Sequence, residues 1–220
     1  VPHLHEHQLA LDAVVVEHLD LPDVVELAQL IDELLANGIR PFITLFHWDY
    51  PSALQQKGAW ENPESPLWFE EYVTLCAQRF GDRVKDFITL NEPQCFIGLG
   101  YGKGEPAPGY QLPLSATVPM SHYVLVAHGL AVKALRKYAP GCRVGYAPCG
   151  NPRIPASDDP RDIEAARKAY FMVNDYAPFW AFNISWWSDP PMLGKYPEYR
   201  IVCLDKLTYA GNLSTLESVM

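Results

Sequence analysis

Leu27, Leu30, Ile31, Leu34 and Leu35 recur at the i, i+3, i+4, i+7 and i+8 positions, an apolar stripe on one side of a helix. Gly38 then stands where such a helix should end in a left-handed residue. Residues 40–48, RPFITLFHW, form a near-continuous apolar run with β-branched and aromatic members, the pattern of a strand buried on both faces of a parallel sheet. Ser65-Pro66 predicts an N-cap followed by a proline at the first helical position. The apolar positions Phe69, Tyr72, Val73, Cys76 and Phe80 carry that helix to a stop at Gly81. A second buried strand, VKDFITL, leads into Asn91-Glu92-Pro93. The Gly/Pro-rich residues 98–113 predict a loop, and a long amphipathic helix runs from about Ser121 to Tyr138, ended by Pro140-Gly141. CRVGYAP (142–148) is a third strand, and residues 158–183, opening with Asp158, Asp159 and Pro160, read as helical. Helix and strand alternate throughout, which implies right-handed βαβ units and an α/β fold with a parallel sheet. This pattern fits a closed barrel and an open doubly wound sheet equally well.

Composition narrows the class. A chain of 220 residues with 49% hydrophobic and 20% charged positions has globular usage and the size of one ordinary domain. Its formal net charge is −9. That argues against nucleic acid or an anionic membrane as partner, because phosphate binding needs a basic face. No apolar run approaches the roughly 18 residues of a membrane-spanning helix, and no basic-then-apolar signal peptide is visible. The cysteines Cys76, Cys95, Cys142, Cys149 and Cys203 are scattered without a C-x-x-C pair, so neither a disulfide framework nor a zinc knuckle is expected. A reducing cytoplasm is the expected compartment. His3, His5 and His7 alternate near the start, but no Cys or Asp cluster follows that would complete a metal site. Residues 1–26 have no assigned unit. Aromatics make up 12%, which suits a sugar-stacking cleft and, more commonly, a large core.

The chemistry concentrates at two strand ends. Glu92 closes a buried strand at its C-terminal end, the place where parallel α/β folds put their ligands. A carboxyl there, beside the Asn91 amide and before a proline expected to stop a helix, can work as a proton donor if it is partly buried. Taken alone it could equally be a strand-end carboxylate capping a helix. His47 and Trp48 end the preceding strand and so share one end of the sheet with Asn91 and Glu92. An imidazole can hydrogen-bond sugar hydroxyls, and an indole can stack on a pyranose ring while offering one N–H.

Three segments, HWDYPSALQQKGAW, FITLNEP and SWWSDPPMLGKYP, resemble the family 1 glycoside hydrolases in order and spacing, from about Leu27 to Glu198. That family consists mostly of β-glucosidases and 6-phospho-β-glucosidases. The resemblance implies a (β/α)8 barrel, of which about three βα units are readable here, and retaining chemistry on a small-molecule β-glycoside. It implies that Glu92 is the general acid/base, that Asn91 binds the hydroxyl next to the reacting carbon, and that His47 and Trp48 bind the glycone. No cofactor and no metal are implied.

The resemblance also marks what this sequence does not carry. The family nucleophile is a glutamate in a T/I-E-N-G strand end, and no such segment occurs; Glu164, Glu198 and Glu217 stand in other contexts. The early strand with the family's glutamine and the later tryptophan-glutamate segment are also missing. The expectation is therefore a truncated or chimeric chain holding the acid/base half of a site, with a partner chain conceivable as the source of the rest. Residues 200–220, RIVCLDKLTYAGNLSTLESVM, resemble instead a strand and turn of dTDP-glucose 4,6-dehydratases, where the acid matching Asp205 holds the cofactor ribose. The pyrophosphate-cradling glycine fingerprint is absent upstream, so NAD is not expected. The units read from sequence are thus 1–26, 27–199 and 200–220. The competing readings are a non-catalytic sugar-binding remnant and a nucleotide-sugar dehydratase fragment.

Overall fold

The computed structural model of the chain describes residues 21–171 and 180–197. The histidines at 3, 5 and 7, Asp205 and the whole 200–220 unit lie outside these residues. Helix α1 (Leu21–Ala36) carries the predicted leucine stripe, and Gly38 follows it with φ 71°, the left-handed conformation that glycine adopts without a Cβ clash. Strand β1 (Phe42–Phe46) leads to a short helix α2 (Ser52–Gln55) and a 3₁₀ turn at Ala59–Glu61. Helix α3 (Ser65–Phe80), strand β2 (Asp86–Asn91), a π-helical segment (Gln94–Lys103), helix α4 (Leu114–Tyr138), strand β3 (Arg143–Ala147) and helix α5 (Pro160–Phe171) follow. The described chain ends with a 3₁₀ turn (Trp180–Phe182) and helix α6 (Ile184–Leu193).

The sheet is three-stranded, parallel and ordered β1-β2-β3. Phe42 pairs with Asp86 and Phe46 with Leu90, while Asp86 pairs with Arg143 and Asn91 with Ala147. At the N-terminal edge, the buried Asp86 carboxylate lies 3.2 Å from Arg40 and 2.6 Å from Arg143, so one side chain ties the starts of all three strands. The aromatic residues go mainly to the core. Phe46 meets Trp60, Phe69 and Phe96 edge-on at centroid distances of 5.4, 6.2 and 5.0 Å, in the T-shaped geometry that ring quadrupoles favour. Val73, Ala77, Val124, Ala131 and Leu135 pack fully buried between α3 and α4. Among the described residues, β1 and β3 each pair only with β2, and the cross-strand neighbours Thr44 and Ile88 stay half exposed.

Four local expectations are corrected. Ser65 is the first residue of α3 rather than its cap; the N-cap position is Glu64, without a side-chain cap bond. The helix after Glu92 is started by Pro93, not stopped by it, and the first part of the expected 98–113 loop, residues 98–103, belongs to the π-helical segment. The long helix begins at Leu114 and carries Pro119 inside it. Of the stretch expected to be helical over 158–183, Pro160–Phe171 is helix α5, Trp180–Phe182 is a 3₁₀ turn and Asn183 precedes helix α6. Asn183 caps α6, its side-chain oxygen accepting from the Ser185 and Trp186 N–H groups at 3.0 and 3.3 Å, a cap that leaves a readable Asn signal.

Candidate active site

The C-terminal ends of β1 and β2 leave the sheet through strained residues. Trp48 has φ 79° and Glu92 φ 43°, a region where side chains other than glycine cost about 1–2 kcal/mol. Both turns are held by bonds to the neighbouring strand. The Trp48 indole N–H donates to the Asn91 carbonyl at 3.0 Å, and the Glu92 backbone N–H donates to the Ala147 carbonyl at 2.8 Å. The Asn91 amide nitrogen lies 3.3 Å from His47 Nε2; it can donate there only when that ring nitrogen carries no proton. His47 and Trp48 stand side by side with ring centroids 5.5 Å apart. His47 is exposed, and Trp48, Asn91 and Glu92 are half-buried. His47, Trp48 and Asn91 are therefore linked through hydrogen bonds at one end of the sheet, and Glu92 follows Asn91 there in the chain. Sequence reading expected that cluster from strand ends alone; it gave no sign of the left-handed backbone that aims Trp48 and Glu92.

Behind Glu92 lies a group that sequence reasoning missed. Cys95 donates through its thiol to Glu92 Oε2 at 3.6 Å, and Glu92, Cys95 and Cys149 offer ligand atoms that all lie within 4.8 Å of one another. The fully buried Gln94 pins Cys149 from both sides. Its side-chain oxygen accepts from the Cys149 N–H at 3.2 Å, and its amide nitrogen donates to the Cys149 carbonyl. Burial pushes the Cys95 thiol up to about 12, with Cys149 and Glu92 adding in the same direction. Burial raises the Cys149 thiol as well. Protonated thiols are poor nucleophiles. The signal was hidden because Cys95 and Cys149 lie far apart in the chain and only the β2–β3 pairing brings them together.

Glu164 faces elsewhere: it sits on α5, 2.7 Å from Arg167 and 3.8 Å from Lys168. Glu198 and Glu217 lie outside the described residues. A concavity of about 880 Å³ among α4, β3 and α6, lined by His122, His128, Tyr146 and Tyr196 among others, contains none of the four strand-end residues. Among the described residues no helix is long and apolar enough to cross a membrane.

Comparison with known proteins gives this arrangement a context. The sequence model described as "Glycosyl hydrolase family 1" matches residues 25–218, which includes most of the 200–220 segment. Over 186 residues the chain is 40% identical to Beta-glucosidase 1B of Phanerodontia chrysosporium, covering 78% of this chain and 33% of that protein. Over 170 residues it is 39% identical to Beta-glucosidase A of Thermotoga maritima, covering 77% of this chain and 36% of that protein. Among solved structures it resembles the family 1 b-glucosidase from Thermotoga maritima with a TM-score of 0.69 and 36% identity, over 80% of this chain and 38% of that one. The same similarity extends to that enzyme in complex with glucoimidazole, at a TM-score of 0.69. The chain thus spans about a third of the length of the curated relatives it matches.

Proposed function

Because the chain belongs to glycosyl hydrolase family 1, we propose that it supplies the proton-transfer half of a retaining β-glycosidase site, built at the open end of a partial (β/α)8 barrel. The observation that carries this reading is the hydrogen bonding of His47 and Trp48 to Asn91 across two adjacent strand ends, with Glu92 the next residue in the chain. Glu92 donates its proton to the departing glycosidic oxygen, then withdraws one from the water that resolves the glycosyl intermediate. Asn91 binds the hydroxyl beside the reacting carbon. His47 hydrogen-bonds the sugar, and the Trp48 ring stacks on it. The attacking carboxylate of a retaining enzyme stands about 5–5.5 Å from the acid. No E-N-G segment in this sequence provides it, so on this reading the nucleophile comes from further barrel strands, in a longer chain or in a partner. The substrate class is a small β-glycoside, with β-glucosides first in line because the relatives carry that name.

The test is hydrolysis of 4-nitrophenyl β-D-glucoside by this chain alone, with Glu92→Gln as its pair. The expected outcome is no Glu92-dependent turnover. Turnover that disappears in Glu92→Gln would place a working nucleophile within this sequence and overturn the half-site reading.

A further inference from the structure

Cys95 and Cys149 take no part in the chemistry proposed above, and together with Glu92 they have the composition of a ligand set. We propose that these three side chains form a binding site for a thiophilic divalent cation such as zinc or cadmium, and that filling it engages the Glu92 carboxylate.

Two thiolates and a carboxylate are the donors that zinc and its heavier congener accept, with one position left for water. The spacing fits. Tetrahedral zinc with Zn–S near 2.3 Å and Zn–O near 2.0–2.2 Å places a sulfur and an oxygen ligand about 3.5 Å apart and two sulfurs about 3.8 Å apart. Cys95 Sγ and Glu92 Oε2 already stand 3.6 Å apart. Since all three ligand atoms lie within 4.8 Å of one another, the remaining closure is at most about 1.3 Å, which side-chain rotation covers. Without a cation, the 3.6 Å contact is an S–H···carboxylate hydrogen bond, so the free site is satisfied rather than strained by its own side chains.

The backbone around the cluster is fixed in advance. Glu92 is tied to β3 by its N–H bond to Ala147, and Cys95 is tied to Glu92 by its own N–H bond to the Glu92 carbonyl, each at 2.8 Å. Gln94 grips both backbone groups of Cys149. All three ligands therefore sit on segments that cannot separate without breaking buried hydrogen bonds, and outer-shell support of this kind is what sharpens metal sites. On binding, each thiol releases its proton to solvent as its S–metal bond forms. The site is read from geometry and stands whether or not Glu92 transfers protons. Its effect on hydrolysis, loss of the proton donor while the cation is bound, rests on the function proposed above.

The test uses the full 220-residue chain, reduced with a phosphine, and cadmium ion alone as probe. The readout is the ultraviolet thiolate-to-cadmium charge-transfer band, which needs no enzymatic activity. The expected result is a band that saturates at one equivalent and is lost in Cys95→Ser and in Cys149→Ser. It should persist in Cys142→Ser and Cys203→Ser, and in Glu92→Gln it should saturate at least about tenfold more weakly, the lower bound for loss of even an outer-shell group. Should the serine variants fail to fold by circular dichroism, the unaltered chain still decides the matter. Cadmium should then protect Cys95 and Cys149 from alkylation, read by peptide mass mapping. No band, a band that survives in both serine variants, or protection of other cysteines in place of these two would overturn the proposal.

Discussion

Glu92 adopts φ 43° at the point where its carboxyl must leave the sheet and face a ligand, and the backbone strain has a measurable sign. Glycine normally weakens a structured position by about 0.5–1 kcal/mol relative to alanine, because it loses more backbone freedom. At this position the left-handed conformation costs any residue with a Cβ about 1–2 kcal/mol, so the order should invert. Urea unfolding should find Glu92→Gly more stable than Glu92→Ala by about 0.5–1 kcal/mol, despite the loss of the Cys95 contact in both. The usual order, alanine above glycine, would show that the turn carries no strain. Trp48, with φ 79°, repeats the arrangement one strand earlier. Strained backbone of this kind clusters at catalytic and ligand-binding positions in proteins generally.

At the scale of elements, α4 is pinned to the sheet through His128. Its Nδ1 lies 2.8 Å from the hydroxyl of the fully buried Thr89 on β2, and its ring packs 4.7 Å from that of Tyr146 on β3. Burial lowers the His128 pKa below its ordinary 6.5. The unfolded chain therefore binds a proton that the folded chain refuses, and stability rises with pH across that interval. Above about 6.5 both states are neutral and the contribution is flat; below it, stability falls until the lowered folded value is reached. Unfolding free energies measured between neutral pH and roughly pH 5 should show this decline, and His128→Gln should flatten it. An unchanged slope in that variant would remove His128 as the cause.

Periodicity made these elements legible to unequal degrees. The leucines of α1 and the unbroken apolar runs of β1 and β2 specify their state because helical spacing and continuous β-branched and aromatic runs admit few alternatives, although β1 is buried only toward its C-terminal end. Pro93 misled because proline breaks a helix only where an N–H is needed, and Pro93 precedes the first π turn. The Gly-rich residues 98–103 look like a loop, yet Gly98 and Gly100 face Ala181 and Ala107 so closely that a Cβ would lie 2.7 and 2.6 Å from them. Their glycines serve close packing rather than turning, which sequence alone cannot distinguish. The placement of His47, Trp48, Asn91 and Glu92 was readable because they end strands; the thiol pair was not, because it depends on β2–β3 register.

For the molecule as a whole, the described residues leave two sheet edges unpaired and several large apolar side chains in water. Phe42, on edge strand β1, is 58% exposed, and Leu30 is 55% exposed. Open strand edges beside apolar surface are templates for pairing between chains. Sedimentation velocity of the isolated chain should show its average mass rising with concentration, and Phe42→Lys should suppress the rise. A mass that stays constant across the accessible concentrations would mean that the edges are covered. The same edges are where further barrel strands, and with them the nucleophile, would add.

The most direct test of the central claim joins the two halves. This chain would be co-expressed with the remaining segment of a family 1 β-glucosidase that carries the nucleophile, and hydrolysis of a β-glucoside with a poor leaving group would be followed. The account predicts turnover in the joined material that Glu92→Gln lowers by about 10²–10⁴-fold, since such a leaving group depends on the proton it receives. Turnover of the joined halves that Glu92→Gln leaves unchanged would contradict it, and the proton donor would have to be sought elsewhere.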